Sequence, residues 1–506
     1  MVHEPPMNAV TAPGHYRGPV RMLLISTYEL GHQPLHVGSP AGALIRAGHD
    51  VRCLDLSVEP FDAEAVRWAD AAACSVPMHT ACRLALAACA QIRTVDPEMP
   101  LCLYGLYAQL ASASAEDPLV DLTVAGEYEP RIVQWADELD DELVGKSARI
   151  PGHRSQHLVK LGRGRFGLPA RYLLPPLDRY AHLAAFGERR PAGYVEASHG
   201  CAHRCRHCPV PVVYDGRTRL VSIDVLEEDI SQLVEMGARH ITFGDPDFLN
   251  GPHHALRVLS ALHGSFQDLT FDVTAKVEHV LTHRELWPRF AQTGCLFVVS
   301  AFESTNDTIL THLAKGHRAA QEVEAVAVLR AAGIEPRPSL LPFTPWTSAT
   351  DVVDLLDLVA ACDLIGNVDP VQYAIRLLVP PGSLLLASGS LDGRLGPYDA
   401  EHLGWTWNSP DPRLDRLALE LGRIAERAGA ENWPSLQAYE AVRAETVTSL
   451  GLGASAGPPT SARRLRSTVS PDERPRLTEA WFCCAEPTEA QLRGAVLEAP
   501  SVVPVP

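Results

Sequence analysis

No apolar run in the 506 residues reaches the roughly 20 needed to cross a bilayer. The opening MVHEPPMNAVTAPGHYRG also lacks the hydrophobic stretch of a signal peptide. A cytoplasmic protein without a membrane partner is therefore expected. Positive charge is short as well: 44 Lys and Arg stand against 61 Asp and Glu, a formal charge of −17. Such a balance cannot neutralise phosphates over a broad surface, so general nucleic-acid binding is not expected. Internal repeats and long low-complexity tracts are absent. What remains is ordinary for a globular protein, with 46% hydrophobic and 21% charged residues. The length calls for more than one domain.

Cysteine carries the most informative pattern. Twelve cysteines in such a chain read as ligands and buried thiols rather than disulfides. Cys53, Cys74, Cys82, Cys89, Cys102, Cys295 and Cys362 fall in apolar strand or helix patterns and are expected in the core. Cys201, Cys205 and Cys208 stand together in SHGCAHRCRHCPVP, a C-x3-C-x2-C run. A structural zinc wants four ligands in a closed tetrahedron, and a [4Fe–4S] ferredoxin cluster takes a cysteine on each iron. Three thiolates on a cubane leave one iron open to chelate another molecule. Zinc stays open as an alternative, because His199, His203 or His207 could supply a fourth ligand.

The apolar runs give the organisation. Arg21–Ser26, Val51–Leu56, Ala71–Ser75, Leu101–Tyr104 and Leu122–Ala125 read as strands alternating with helices, the sign of a doubly wound parallel sheet. Ligands of such a sheet bind at the carboxyl ends of its strands. After a basic connector the alternation resumes in VEAS, ITFGDPDF, FDVTAKV, LFVVSAFE, PRPSLLPF and VQYAIRLL. Helices Asp411–Ala428 and Pro434–Ser449 follow, then a Gly/Ser/Ala/Pro linker and EAWFCCAEPTEAQL.

The cysteine run resembles the cluster loop of the radical S-adenosylmethionine (SAM) enzymes. In that family the open iron binds SAM, and electron transfer releases a carbon radical. Many members carry an aromatic residue before the third cysteine, where this chain has His207. By the same resemblance FGDPDF, 37 residues after Cys208 at its second acid-bearing strand end, makes Gly244, Asp245 and Asp247 SAM contacts; a plain turn is the alternative. Ser300 and Glu303 in SAFES resemble the fourth strand end, where polar groups meet the SAM ribose or carboxylate; a helix cap is the alternative. Lys276 and Arg376 are further candidates. The order of the first sheet, with DLTVAGEYEP, resembles the cobalamin-binding domain that precedes many radical SAM cores. No D-x-H-x-x-G motif is present, so cobalamin binding and a sheet without cofactor both stay open.

The pair Cys483–Cys484 cannot readily form a relaxed disulfide with itself. It can chelate a thiophilic centre such as arsenic(III), act as a redox pair, or lie buried beside Trp481 and Phe482. FCCAEP resembles the tail of the CUAEP/CCAEP-tail radical SAM proteins, and with it the resemblance spans nearly the whole chain.

The implied architecture is α/β: a leader (1–20), a cobalamin-binding-like doubly wound parallel sheet (21–150) and a connector (151–193). A partial (β/α)6 radical SAM barrel (194–385), a small helical C-terminal region (386–450) and a flexible linker with the Cys-Cys tail (451–506) complete it. The implied enzyme cleaves SAM reductively with a [4Fe–4S] cluster held by Cys201, Cys205 and Cys208, drawing electrons from a donor such as ferredoxin or flavodoxin. It modifies a small molecule with help from Cys483 and Cys484. Cobalamin-dependent methyl transfer, transfer of a SAM fragment to arsenic, and a zinc- or soft-metal-binding module are the alternatives.

Overall fold

Strand β1 (Arg21–Ser26) is apolar on both faces because helices cover both. Leu23 and Ile25 enter one core with Val66, Cys82 and Ala85 from helices Ala63–Trp68 and His79–Val95. Met22 and Leu24 enter the other with Val37, Leu44 and Ile132 from helices Leu35–Ala47 and Glu129–Gly145. With β2 (Asp50–Asp55), β3 (Ala71–Ser75), β4 (Leu101–Tyr104) and β5 (Leu122–Val124) it forms a five-stranded parallel sheet ordered β2-β1-β3-β4-β5. The order reverses between β1 and β3, and a doubly wound sheet opens its ligand crevice at that point. The computed structural model describes residues 19–112, 119–145, 165–452 and 463–479. Cys483 and Cys484 lie outside them.

The second sheet is seven-stranded. Strands β6 (His182–Ala185) and β7 (Glu188–Val195) form a hairpin, followed by a small pair, β8 (Ser198–Gly200) with β9 (Thr218–Leu220). Strands β10 (His240–Phe243), β11 (Thr270–Thr274), β12 (Cys295–Glu303) and β13 (Glu335–Leu340) extend β7 in parallel, making a curled half-barrel. Its outer face packs under helices such as Ile223–Glu235 and Ala319–Ala331, and one continuous core runs from Leu177 to Leu465. The sixth unit expected from VQYAIRLL contributes an isolated bridge, Phe343 to Arg376, instead of a full strand. The start of that segment folds with Pro370 as a 3-10 turn, Pro370–Tyr373.

Two features fall outside the expected pattern. Strand β6 and most of β7 lie in the stretch read as a connector. Beyond the hairpin β14 (Leu395–Asp399) and β15 (Gly404–Trp407), and the packed helices Pro412–Ala430 and Ser435–Leu450, the chain returns to the barrel. Strand β16 (Arg476–Leu477) pairs antiparallel with β6. It is fastened by Arg474, whose guanidinium is buried and donates to the Asp363 carbonyl at 2.6 Å and to Asn367 Oδ1 at 2.7 Å. Seven cysteines expected in the core lie there, Cys53 being half-buried and the other six buried. Among the described residues no helix is long and apolar enough to cross a membrane.

Candidate active site

The carboxyl ends of both sheets face one cavity of about 290 Å³. From the first sheet come Glu29, Met78, Gly105, Leu106 and Tyr128; from the barrel come Gly244, Asp245, Lys276 and Glu303. Cys201, Cys205 and Cys208 line it between the two.

The cysteine loop starts where β8 ends, at Gly200. Its φ of +78° suits glycine, and a Cβ there would come within 2.3 Å of the Arg217 carbonyl, so no side chain is tolerated. Asn250 holds the loop from the β10 side by accepting the Ala202 N–H at 3.1 Å. Cys201 and Cys205 are buried and Cys208 half-buried. Burial pushes the Cys201 thiol up to about 12, and raises Cys205 against the opposing charges of Lys315 and Lys276. Buried thiols of this kind ionise on binding a metal. Three of them on one wall of a cavity fit a three-cysteine [4Fe–4S] cluster.

At the second strand end Gly244 and Asp245 line the cavity. A Cβ on Gly244 would lie 1.9 Å from Tyr194 Oη, so glycine alone permits the tyrosine to cross there. Asp245 is fully engaged with its own chain, accepting the Ala197 N–H at 2.8 Å and the Ser198 hydroxyl at 2.5 Å. Burial pushes its carboxyl up to about 7 in spite of those bonds. It anchors the turn that leads into the cysteine loop. Asp247 is turned away from the cavity: it accepts from Leu249 N at 3.0 Å and faces His279 Nδ1 at 2.9 Å.

Along β12, Val299, Ala301 and Glu303 line the cavity, so Ser300 points to the opposite face. Its buried hydroxyl has no hydrogen-bond partner. Glu303, at φ +67°, meets Lys315 Nζ at 3.0 Å and His207 Nε2 at 3.3 Å. Burial would raise its carboxyl, but Lys315 and then His207 hold it down to about 2. Lys276 also faces the cavity, with its ammonium 3.5 Å from Glu278. Arg376 lies elsewhere, over the Trp407 ring and paired with Asp415 at 2.9 Å.

Several groups escape sequence reasoning. Lys315 follows a short helix, Asp307–Leu313, and stands in no motif. A chain of buried ion pairs joins the two sheets. His36 lies 3.0 Å from Glu29 and 3.4 Å from Glu196, while His199 lies 3.2 Å from Glu196 and 3.5 Å from Glu127. Burial opposes charge on His36, Glu196 and His199. Even so, Glu127 and Glu196 raise His199 to about 9, and His36 followed by His199 holds Glu196 down to about 2. The first-sheet rim is otherwise apolar and close-set. Gly105 has φ +118°, and a Cβ on it would meet the Val76 backbone at 3.0 Å. This glycine-cleared, aromatic and aliphatic rim lines the same cavity as the cysteines, and its apolar character suits the flat side of a corrin.

Residues 195–359 match the family model of the Radical SAM superfamily. The chain carries a radical SAM domain. That domain implies a [4Fe–4S] cluster and SAM as cofactors. Among curated proteins it is 23% identical over 275 residues to an uncharacterized methyltransferase of Pyrococcus horikoshii, covering 52% of this chain and 57% of that one. It is 24% identical over 343 residues to the hopanoid C-3 methylase of Methylococcus capsulatus, covering 64% of each. The match thus spans only 57% and 64% of those relatives' lengths.

Among solved structures, OxsB is a cobalamin-dependent SAM radical enzyme determined with aqua-cobalamin and SAM bound. It aligns with a TM-score of 0.63 at 13% identity, over 85% of this chain and 72% of its own. The radical SAM methyltransferase TsrM of Kitasatospora setae, with tryptophan and a SAM analogue bound, aligns at 0.58 and 16% identity, over 74% and 77%. These likenesses establish the fold: a doubly wound sheet set against a radical SAM barrel.

Proposed function

We propose that the protein is a cobalamin-dependent radical SAM enzyme that transfers a methyl or larger alkyl group to a small molecule. One observation carries this reading: the three cysteines, the barrel strand ends and the carboxyl ends of the first sheet all line the same cavity. When bound, the cluster and SAM supply a carbon radical and cobalamin supplies an alkyl carrier. Cys201, Cys205 and Cys208 hold the cluster. Gly244 leaves room for SAM, and Asp245 fixes the turn beneath it. The Glu303 carboxylate, kept ionised by Lys315, accepts hydrogen bonds from SAM hydroxyl or ammonium groups. Asp247 and Ser300 face away from the cavity and serve SAM only through the strand ends they belong to. Tyr128, Leu106 and Met78 carry the corrin face, and the paired histidines and carboxylates between the sheets keep the two halves in register. Reducing equivalents come from an external one-electron donor such as ferredoxin or flavodoxin, which suits a cytoplasmic setting.

A second reading has a specific basis. Glu479 lines the cavity and accepts the Tyr28 hydroxyl at 2.8 Å, and Cys483 and Cys484 follow it by four and five residues. At roughly 3.5 Å per residue their reach from that anchor is about 14 to 18 Å. The dithiol is thereby within range of the cavity to present a thiophilic element such as arsenic(III) for direct transfer of a SAM fragment.

Chromatography of SAM products after anaerobic reconstitution, with and without cobalamin and arsenite, separates the readings. 5′-Deoxyadenosine joined by S-adenosylhomocysteine only when cobalamin is present is the expected result for methyl transfer. Methylthioadenosine formed with arsenite supports the tail reading. Absence of SAM cleavage, with zinc bound in place of iron, overturns both. Cys484→Ser leaves cluster and SAM binding intact and blocks product formation if the tail takes part; an unchanged product yield removes it from the chemistry.

A further inference from the structure

Three segments distant in sequence bring a second set of ligating groups together beside the cysteine loop. His203 lies inside the loop, Asp247 follows β10, and His279 lies in the short helix Val277–Thr282 that follows β11. Asp247 Oδ2 is 2.9 Å from His279 Nδ1 and 3.5 Å from His203 Nε2, and the three donor atoms lie within 4.8 Å of one another. Zinc bonds of about 2.0–2.1 Å in a tetrahedron place neighbouring donors about 3.4 Å apart, inside this range.

Both ring nitrogens are buried, and neither makes a well-formed hydrogen bond although each faces the same carboxylate oxygen. The carboxylate is fully buried and held in place by Leu249 N–H on Oδ1 at 3.0 Å and by Lys276 N–H on Oδ2 at 3.3 Å. Glu278 lies 3.9 Å from the other nitrogen of His203, a nearby negative charge that is not hydrogen-bonded to it. Asp247 and His279 do not line the cavity; His203 sits at its rim.

We propose that His203, Asp247 and His279 form a second metal site, for a divalent first-row ion such as zinc. Two imidazoles and one carboxylate suit ions of this class and leave a fourth position for water. The site is separate from the three cysteines and does not depend on the alkyl-transfer reading. Because His203 is two residues from both Cys201 and Cys205, an ion held here clips the cluster loop to the ends of β10 and β11.

The test uses the full-length chain carrying Cys483→Ser and Cys484→Ser, so that the tail thiols cannot bind zinc. Its cluster is reconstituted before exposure to zinc, so that iron occupies the loop thiols. After free metal is removed, elemental analysis is expected to find close to one zinc per chain, falling at least tenfold in His279→Gln while iron is retained. Negligible zinc in the parent, or equal zinc in His279→Gln, overturns the proposal. Zinc X-ray absorption on the parent decides the matter even if His279→Gln loses its iron. A nitrogen and oxygen shell with imidazole scattering is the expected result, and a sulfur shell overturns the site.

Discussion

The two parallel sheets present the same architectural feature, a row of carboxyl strand ends, to one cavity, yet furnish it with opposite chemistry. The barrel ends carry thiols, a buried Glu303–Lys315 pair and an acid, Asp245, pushed up to about 7 by burial. The first-sheet ends carry glycine, leucine, methionine and tyrosine, with charge confined to the histidine–carboxylate chain at the seam. Topology makes a crevice in both cases, and side chains decide what the crevice does. On the proposed reading the barrel end binds and reacts, and the first-sheet end supports a large flat group.

The strongest way to break this comparison is Cys201→Ala. Cluster absorbance and SAM cleavage are expected to fall to background while the first sheet is unaffected; a full iron–sulfur spectrum with normal turnover would remove the barrel's special role. Next is Glu303→Gln, which leaves the buried Lys315 ammonium unpaired. A loss of about 3–5 kcal/mol is expected in anaerobic denaturant unfolding. Because the Glu303 carboxyl is held down to about 2, its contribution is present above about pH 4.5 and is lost as pH falls towards 2.

Gly105→Ala probes the other sheet. Strain at positive φ and contact with Val76 are expected to cost about 1–3 kcal/mol and to weaken cobalamin uptake, read by absorbance, without lowering iron content. The smallest effect concerns the seam. His199 is raised to about 9, so its pairing is present below about pH 6.5 and lost as pH rises through 9. A melting temperature a few degrees lower at pH 9.5 than at pH 7.5 is expected, with the difference reduced in His199→Gln.

Much of the fold was legible because its parallel strands, covered on both faces, are continuous apolar runs. Each of the five first-sheet strands lies within a residue or two of its expected span. Strands β6 and β16 were not legible, since a strand as short as HLAA or RL has no run to recognise. The cysteine loop stands out by its spacing and Glu303 by its resemblance to a family strand end, and both line the cavity. Period-two alternation would have warned that Ser300 could not share a face with Val299 and Ala301. Lys315 and the trio of His203, Asp247 and His279 were hidden for another reason. Their meeting depends on how successive loops at a barrel mouth curl over one another, which no local pattern records. His199 and His203, noted along the chain only as neighbours of the cysteines, join two separate clusters in space.

The pairing of β16 with β6 joins residues almost 300 positions apart, as in the His182 amide donating to Thr478 Oγ1 at 2.9 Å across a separation of 296. At 5–20 residues per second, a ribosome needs about 15 to 60 seconds to supply the second strand after the first has emerged. During that interval β6 is a bare edge, able to pair with a neighbouring nascent chain. The β6 edge is therefore covered only after Arg476 and Leu477 have been made, and a chain stalled before Arg476 is expected to be recovered in aggregates.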